Sequence, residues 1–163
     1  MHKHTYNIVV KIIFLVLAAF FVNSSACAFE VSEAMLNQYV QQKLSEKPGR
    51  DIQLLNQKVS LLDGFATICA TVHARALARD VDFCADMTPK WRQETGSLLA
   101  TKMALISLNA PGVNTQNVEL LKMLVNQVVL PELEGVEVYK ADNFIGKQIS
   151  WLKVSPGKVE MGF

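Results

Sequence analysis

The residues that could carry chemistry are few, and they lie close together along the chain: Cys69, His73, Asp80, Asp82, Cys84 and Asp86. An imidazole beside a carboxylate can act as an acid–base pair, closely spaced carboxylates can hold a hard cation, and two cysteines can form a disulfide. No nucleophile accompanies the histidine, and the chain contains no GxSxG, HExxH, GxGxxG or phosphate-loop motif. We therefore expect no enzymatic activity, no cofactor and no metal site.

Two segments around these residues alternate as β-strands do, and their apolar positions would form one face of a sheet: Ala66, Ile68, Ala70, Val72 and Ala74, then Val81, Phe83, Ala85 and Met87. The chemically interesting side chains fall on the opposite face, where His73 and Asp80 would lie across the hairpin from each other. A solvated outer face explains these polar residues without a catalytic pair or a cation, and we favour that interpretation.

The register of this hairpin predicts a disulfide. If the two strands pair through the loop at 75–78, Val72 lies opposite Val81 and the apolar faces match. The same register places Cys69 opposite Cys84, close enough for an S–S bond. The alternative is a pair of inert thiols. In the chain-entropy description, a loop of this size adds about 3 kcal/mol to stability.

The first 28 residues have the order of a secretory signal peptide: a basic start, an apolar run at 12–22, and a small polar stretch at 23–28. Ala26 and Ala28 fit the A-x-A cleavage rule, which would begin the mature chain at Phe29. An uncleaved anchor is less favoured, because spanning a bilayer takes about 20 apolar residues.

A second way of processing the N-terminus is lipidation. Residues 24–27 can be taken as a bacterial lipobox that makes Cys27 the lipidated first residue, although Ser24 stands where an aliphatic residue is usual. Both alternatives place the domain in the bacterial cell envelope, most simply the periplasm. Contact with a membrane would then come only through the signal peptide or through a lipid on Cys27. An oxidising compartment also favours the disulfide.

Charge and composition exclude other classes of partner. The whole chain has 163 residues and a net charge of +1, from 16 basic and 15 acidic side chains. Without the first 28 residues, which hold Lys3 and Lys11 and no acid, 14 basic and 15 acidic residues give −1. A near-neutral domain without a basic stripe has no electrostatic reason to bind nucleic acid. Its hydrophobicity is too high for a disordered chain.

Further elements follow from periodicity and turn residues. Ser32 can cap a helix that ends near Glu46, with Val31 and Leu36 placed as a hydrophobic staple. Pro89 is expected to end the strand that begins at Arg79. The other predicted elements are strands at 51–62 (with a bulge near Asn56), 97–109, 135–141 and 159–163, and a brief helix at 142–151.

The longest helical pattern, at residues 114–133, is the element around which we expect the others to be organised. Its apolar residues cover most of the circumference, whereas an ordinary surface helix buries a narrower stripe. Asn114 or Thr115 would cap it, and Pro131 would end or kink it. The prediction is one α+β domain, residues 29–163, in which an antiparallel sheet of five or six strands packs on this helix and a short helix precedes the sheet.

The order of these elements resembles the YceB-like family of Gram-negative envelope proteins, a family of unassigned function. The likeness covers residues 29–163 and is most specific in the helix from Val31 to Leu44 and in the closing LKVSPGKVEMGF. The resemblance implies a tubular lipid-binding (TULIP-like) fold, in which a strongly curved antiparallel sheet wraps around the long helix and a lipid or other apolar molecule is held between them. Ser24 departs from the lipoprotein pattern that is usual in the family.

The residues that would line this groove are inward positions of two strands and the apolar side of the long helix: Ile68, Val72, Val81, Phe83, Leu121, Met123, Leu124 and Val128. Small inward residues such as Ala66, Ala70 and Ala85 could leave room for an acyl chain, or could let the helix pack close to the sheet. Trp91 and Trp151 could line the mouth of the groove or belong to the core.

The predicted function is non-enzymatic binding of a lipid or other hydrophobic small molecule. The alternative is a structural or protein-interaction module of the cell envelope, with a packed core and no ligand. Its partner surface would be a sheet edge or the small helix that carries Phe144 and Ile145. A continuous apolar cavity would favour binding, and a filled core with an exposed apolar patch would favour the interaction module.

Overall fold

The computed structural model describes residues 27–45, 52–74 and 79–163, which form an α+β structure. The predicted signal segment up to residue 26 lies outside the described residues. Within them the elements are β1 (Cys27–Ser32), α1 (Glu33–Ser45), β2 (Ile52–Leu61), β3 (Ala66–Ala74), β4 (Arg79–Arg92), β5 (Ser97–Asn109), α2 (Thr115–Leu124), a π-helical turn (Val125–Val129), α3 (Leu130–Leu133), β6 (Glu137–Lys140), α4 (Asn143–Gly146), β7 (Trp151–Ser155) and β8 (Lys158–Gly162).

Strands β2 to β6 form an antiparallel sheet in sequence order, and the sheet curls into a half-barrel. The β3–β4 register is the predicted one, with Val72 opposite Val81 and Cys69 opposite Cys84. Apolar side chains on the inner face of these strands are buried, because alternation places them all on the side that packs. The predicted bulge in β2 is also confirmed: Asn56 has φ +54°, and the pairing with β3 shifts there.

Helix α1 covers one edge of this sheet. The Ser32 hydroxyl caps the helix by accepting from the amide of Met35, as predicted. The Asn37 side chain then pairs with the backbone of Val59 on β2, donating to its carbonyl at 2.8 Å and accepting from its amide at 2.7 Å. The Glu33 carboxylate accepts from the amide of Leu61 at 2.8 Å. Side chains of α1 thus occupy hydrogen-bonding groups that an exposed edge would leave open.

The same helix reaches the opposite edge of the sheet. Tyr39 donates a hydrogen bond to the carboxylate of Glu137 on β6. Leu36 and Val40 of the same helix belong to the hydrophobic core. Because α1 contacts both β2 and β6, it bridges the two edge strands of the half-barrel. We predicted that the sheet packs on the long helix alone. In the structure, both α1 and the long helix pack against the sheet.

Residues 115–133, called the long helix below, form one continuous helical segment that begins at the predicted Asn114 cap. Its C-terminal half contacts β5, and its buried side chains are Leu121, Val125, Val129, Leu130 and Leu133. The expectation that the helix is covered on several sides is wrong, since Leu120 is 60% exposed and Met123 is 52% exposed. The helix also continues past Pro131, which is separated from the π-helical turn by Leu130, and ends at Leu133.

Several elements differ from the prediction in their extent or were not predicted. Strand β4 runs through Pro89 to Arg92, with Pro89 opposite Ala100, after a register shift between Asp86 and Thr88 that loosens the ladder. The predicted helix at 142–151 is only the short α4, and β7 begins at Trp151. Strand β1 was not predicted, because its partner β8 lies at the far end of the chain.

Strands β1, β8 and β7 form a second, three-stranded antiparallel sheet in that order. Backbone hydrogen bonds from Gly64 to Val154 and from Gly157 to Leu61 join it to the half-barrel. Val154, Val159 and Met161 share one hydrophobic core with residues of the larger sheet. None of the described helices is both long enough and apolar enough to cross a bilayer.

Candidate functional site

The outer face of β3 and β4 holds the residues whose side chains could carry chemistry: Cys69, His73, Asp80, Asp82, Cys84 and Asp86. Cys69 and Cys84 form the predicted disulfide, with an S–S distance of 2.07 Å. His73 Nδ1 lies 2.6 Å from Asp80 Oδ1, and both side chains are about half exposed. The structure therefore brings this pair together on a solvated surface, where an ion pair contributes little to stability.

The other two aspartates of this face accept hydrogen bonds from threonines on the neighbouring strand. The Thr71 hydroxyl donates to Asp82 at 2.8 Å, and the Thr67 hydroxyl donates to Asp86 at 2.6 Å. Among the described residues, no three histidine, cysteine or acidic side chains gather in a way that could hold a metal ion. These carboxylates act as cross-strand partners in the sheet.

The predicted groove residues separate into two groups. Ile68, Val72, Val81, Phe83 and Leu121 are buried. On the long helix Leu124 is partly buried against the core, whereas Met123 is 52% and Val128 is 42% exposed. The structure thus places the strand residues in the interior and leaves Met123 and Val128 on the surface.

A void remains between α1, the half-barrel and the end of the long helix. Its walls include Val40, Ile68, Met87, Met103 and Leu133, and its volume is about 10 Å³. A space of that size holds roughly one water molecule. This void between described residues is too small for an acyl chain, and the small residues of the inner face allow close packing around it.

A much larger space opens on the outside, where the end of β4 meets β7 and the start of β5. This tryptophan cleft has a volume of about 570 Å³, within the range of roughly 300–1,000 Å³ that is typical of small-molecule sites. It is lined by Lys90, Trp91, Arg92, Gln93, Glu94, Leu99, Thr101, Glu134, Gly135, Ile149, Ser150, Trp151 and Leu152. The chain has two tryptophans, and both lie here.

Trp151 owes its position to a glycine on the neighbouring strand. It pairs with Gly162 across β7 and β8, and a Cβ atom at Gly162 would lie 2.3 Å from the indole ring. The ring therefore rests directly on the Gly162 backbone, and any larger residue would displace it. Trp151 remains 42% exposed, so the chain supports a large aromatic side chain on one side and offers it to the cleft.

Trp91 is fixed by different contacts at the other side of the cleft. Its indole Nε1 donates to the carbonyl of Gly146 at 3.0 Å. Gly146 in turn packs on the β4–β5 turn, since a Cβ atom there would lie 2.6 Å from the Cα atom of Gly96. Gln93 Nε2 donates to the carbonyl of Ile149 at 2.6 Å. These bonds tie the end of β4 to the segment that leads into β7.

Charged groups of both signs surround the two tryptophans. Lys90, Arg92 and Glu94 are exposed, and within the part of the chain that the structure describes they form no ion pair and no side-chain hydrogen bond. The Glu134 carboxylate accepts from the amide of Lys102 at 3.2 Å. The cleft thus combines large aromatic surface with hydrogen-bonding groups that have no partner among the described residues.

A separate polar cluster lies where α1 meets β6. The Glu137 carboxylate accepts from the hydroxyls of Tyr39 and Ser97, and Ser97 is fully buried. Burial alone would raise the pKa of Glu137, but these two hydrogen bonds and the charges of Lys140 and Lys43 hold the pKa below its ordinary value. Since Ser97 has no access to solvent, we assign the cluster to the attachment of α1.

Comparison with protein-family models and with the sequences of curated proteins finds no match for this chain. The resemblance to the YceB-like family and its TULIP-like fold stays a prediction. The sequence allowed both tryptophans to line the mouth of the sheet–helix groove or to belong to the core, but it did not predict the outer cleft in which they lie. The signals that could have done so are the alternation of basic and aromatic residues at 90–92 and the pairing of Trp151 with a glycine near the end of the chain.

Proposed function

We propose that this protein is a non-enzymatic binding protein of the bacterial cell envelope and that its ligand occupies the tryptophan cleft. The observation that carries the proposal is the volume of the cleft, about 570 Å³, whereas the void between α1 and the half-barrel has about 10 Å³. Two aromatic side chains held by glycine contacts supply apolar surface, and Lys90, Arg92 and Glu94 supply polar contacts. The ligand is therefore amphipathic.

Residence in the envelope is part of this proposal. It rests on the signal-peptide pattern of residues 1–28, and the Cys69–Cys84 disulfide supports it, because such bonds persist in oxidising compartments. The soluble form beginning at Phe29 and the form lipidated at Cys27 both agree with it.

A second possible site for the ligand is the sheet–helix groove of a TULIP-like fold, where the ligand would be a lipid. A groove wide enough for an acyl chain requires the long helix to move away from the half-barrel. Its π-helical turn at Val125–Val129 and the exposure of Leu120 and Met123 support such a movement, because the N-terminal half of the helix buries little apolar surface. The cleft needs no rearrangement and is the site we favour.

Native mass spectrometry of protein purified gently from its envelope fraction tests the proposal. We expect a stoichiometric ligand that is absent from the Trp151→Ala variant and retained by the Val128→Glu variant, whose side chain is 42% exposed in the wild type. The reverse pattern would move the site to the groove. A folded protein without any ligand would reject the binding function.

The second candidate is the protein-interaction module. It is favoured by the apolar side chains on the surface of the long helix, where Leu120 is 60% and Met123 is 52% exposed at adjacent turns. If no ligand is found, the Leu120→Asp variant should lower any concentration-dependent association measured by analytical ultracentrifugation. The matched Glu119→Gln variant on the same helix should leave that association unchanged.

A further inference from the structure

We infer that the ligand class of the tryptophan cleft is a saccharide; this rests on the proposed function and specifies it. A sugar ring has an apolar face of C–H groups and an edge of hydroxyl groups. It therefore needs flat aromatic surface and, close by, both donors and acceptors of hydrogen bonds. The cleft provides the two within one space of about 570 Å³.

The aromatic part of the argument concerns Trp151. The face of an indole ring carries negative charge density, which attracts the weakly positive C–H groups on the apolar face of a sugar. Trp151 is held from behind by the backbone of Gly162, where a Cβ atom would come within 2.3 Å of the ring. The side chain is 42% exposed although such a large apolar group would gain by burial. A supported, uncovered ring is therefore ready for stacking.

The polar part of the argument concerns the groups around that ring. Lys90 and Arg92 are donors, and Glu94 is an acceptor; among the described residues none of them has a side-chain partner. Sugar hydroxyls donate and accept, so they can satisfy all three. Two basic residues and two acidic ones, Glu94 and Glu134, line the cleft, so their formal charges cancel and no ionic ligand is favoured.

The same features disfavour an acyl chain as the occupant. An alkyl chain is stabilised in proportion to the apolar area that it removes from water, and it offers no hydrogen bonds. In the cleft it would lie beside Arg92 and Glu94, whose charged groups would lose hydration without compensation. A lipid tail would thus desolvate charges that a hydroxylated ring can satisfy.

Intrinsic fluorescence reports on this site directly, because both tryptophans of the chain line the cleft. The full-length exported protein is titrated with an N-acetylglucosamine tetrasaccharide, with maltotetraose and with monomeric dodecylphosphocholine, and calorimetry gives the affinities. We expect at least one saccharide to shift the emission. The Trp151→Ala variant should bind it about tenfold more weakly. The control Phe65→Ala, which removes an exposed aromatic side chain from the β2–β3 turn, should bind as the wild type does.

The Trp151→Ala variant could lose binding because it misfolds, so a second variant, Arg92→Ala, is tested as well. This substitution should not disturb folding, because Arg92 is exposed and has no partner among the described residues. Its affinity for the saccharide should fall about fivefold. Binding of dodecylphosphocholine alone, weakened by Trp151→Ala, would overturn the saccharide inference and leave the proposed function standing. Saccharide binding that neither variant weakens would also overturn it. If no probe binds and purified protein carries no ligand, both proposals fail.

Discussion

At the scale of single residues, Trp151 and Gly162 form a unit. The indole ring can occupy its position only because the opposite residue has no side chain. Trp91 depends in a similar way on a close contact between two glycines, Gly96 and Gly146. Glycine is thus needed at these places for close approach, and both aromatic side chains of the cleft are positioned by it.

The Gly162→Ala variant should be destabilised by about 2 kcal/mol, because the new Cβ atom has to displace the indole ring or shift the strand. Its tryptophan emission should move to longer wavelength as Trp151 becomes more exposed. Chemical denaturation measures the first effect and fluorescence the second. In the Trp151→Ala background the same substitution should cost much less, and additive effects in this double-mutant cycle would contradict the contact.

Glu137 provides a prediction with a defined pH dependence. Because its pKa in the folded protein lies below the ordinary value of 4.5, its hydrogen bonds stabilise the fold above that pH. This stabilisation is lost as the pH falls through the lowered folded-state pKa. The Glu137→Gln variant should be less stable than the wild type by about 1 kcal/mol at pH 7. The effect is no larger because Glu137 is partly exposed and solvent weakens its interactions.

The difference in melting temperature between wild type and Glu137→Gln should therefore shrink once the pH falls below about 4.5. The control is Glu119→Gln on the exposed side of the long helix, which should change stability by less than about 0.5 kcal/mol. A difference between wild type and Glu137→Gln that stays constant down to pH 3 would contradict the account of this carboxylate.

At the scale of elements, the hairpin β3–β4 could be predicted in detail, because alternation and two cysteines favour one register independently. Strand β4 beyond Pro89 could not, since a proline inside a strand is tolerated only where the ladder is irregular, and that irregularity is not visible in the local pattern. Helix α1 was predicted correctly as an element. Its bridging position depends on Tyr39 and Asn37, whose partners lie on distant strands.

The Asn37→Ala variant tests the attachment of α1 to the edge strand. It removes the two hydrogen bonds with the backbone of Val59 and should lower the free energy of unfolding by about 2 kcal/mol. The matched control is Gln38→Ala, an exposed position on the same helix. Amide exchange at Val59 should accelerate in the first variant only. Equal stability of both variants would show that this side chain is dispensable.

The Cys69–Cys84 disulfide joins β3 to β4 across a sequence separation of 15 residues. Its reduction should lower the free energy of unfolding by about 3 kcal/mol, mainly through the greater freedom of the unfolded chain. Urea denaturation with and without reductant measures the change. In a Cys69→Ala/Cys84→Ala double variant, the reductant should not change the free energy of unfolding. If the reductant changes the stability of the wild type no more than that of this variant, the disulfide is not formed.

At the scale of the whole molecule, the α+β class followed from the order of elements, whereas the curl of the antiparallel sheet was implied only by the family resemblance. The second sheet did not follow from that order, because β1 and β8 pair residues from opposite ends of the chain. The tryptophan cleft was not predicted, because it too is formed by residues that are distant in sequence. They belong to β4, β5, the turn at Glu134 and Gly135, and the start of β7. Periodicity describes faces of single elements, whereas this site exists only where four segments meet.

The central claim is that ligand binding occurs at the tryptophan cleft and not in the interior. The most direct measurement compares NMR spectra of protein that retains its co-purified ligand with spectra of protein stripped of it. The two indole N–H signals come from Trp91 and Trp151. Our account predicts that both shift on ligand removal while the methyl signals of Leu121 and Leu124 stay in place. Unchanged indole signals together with shifted methyl signals of the long helix would contradict it.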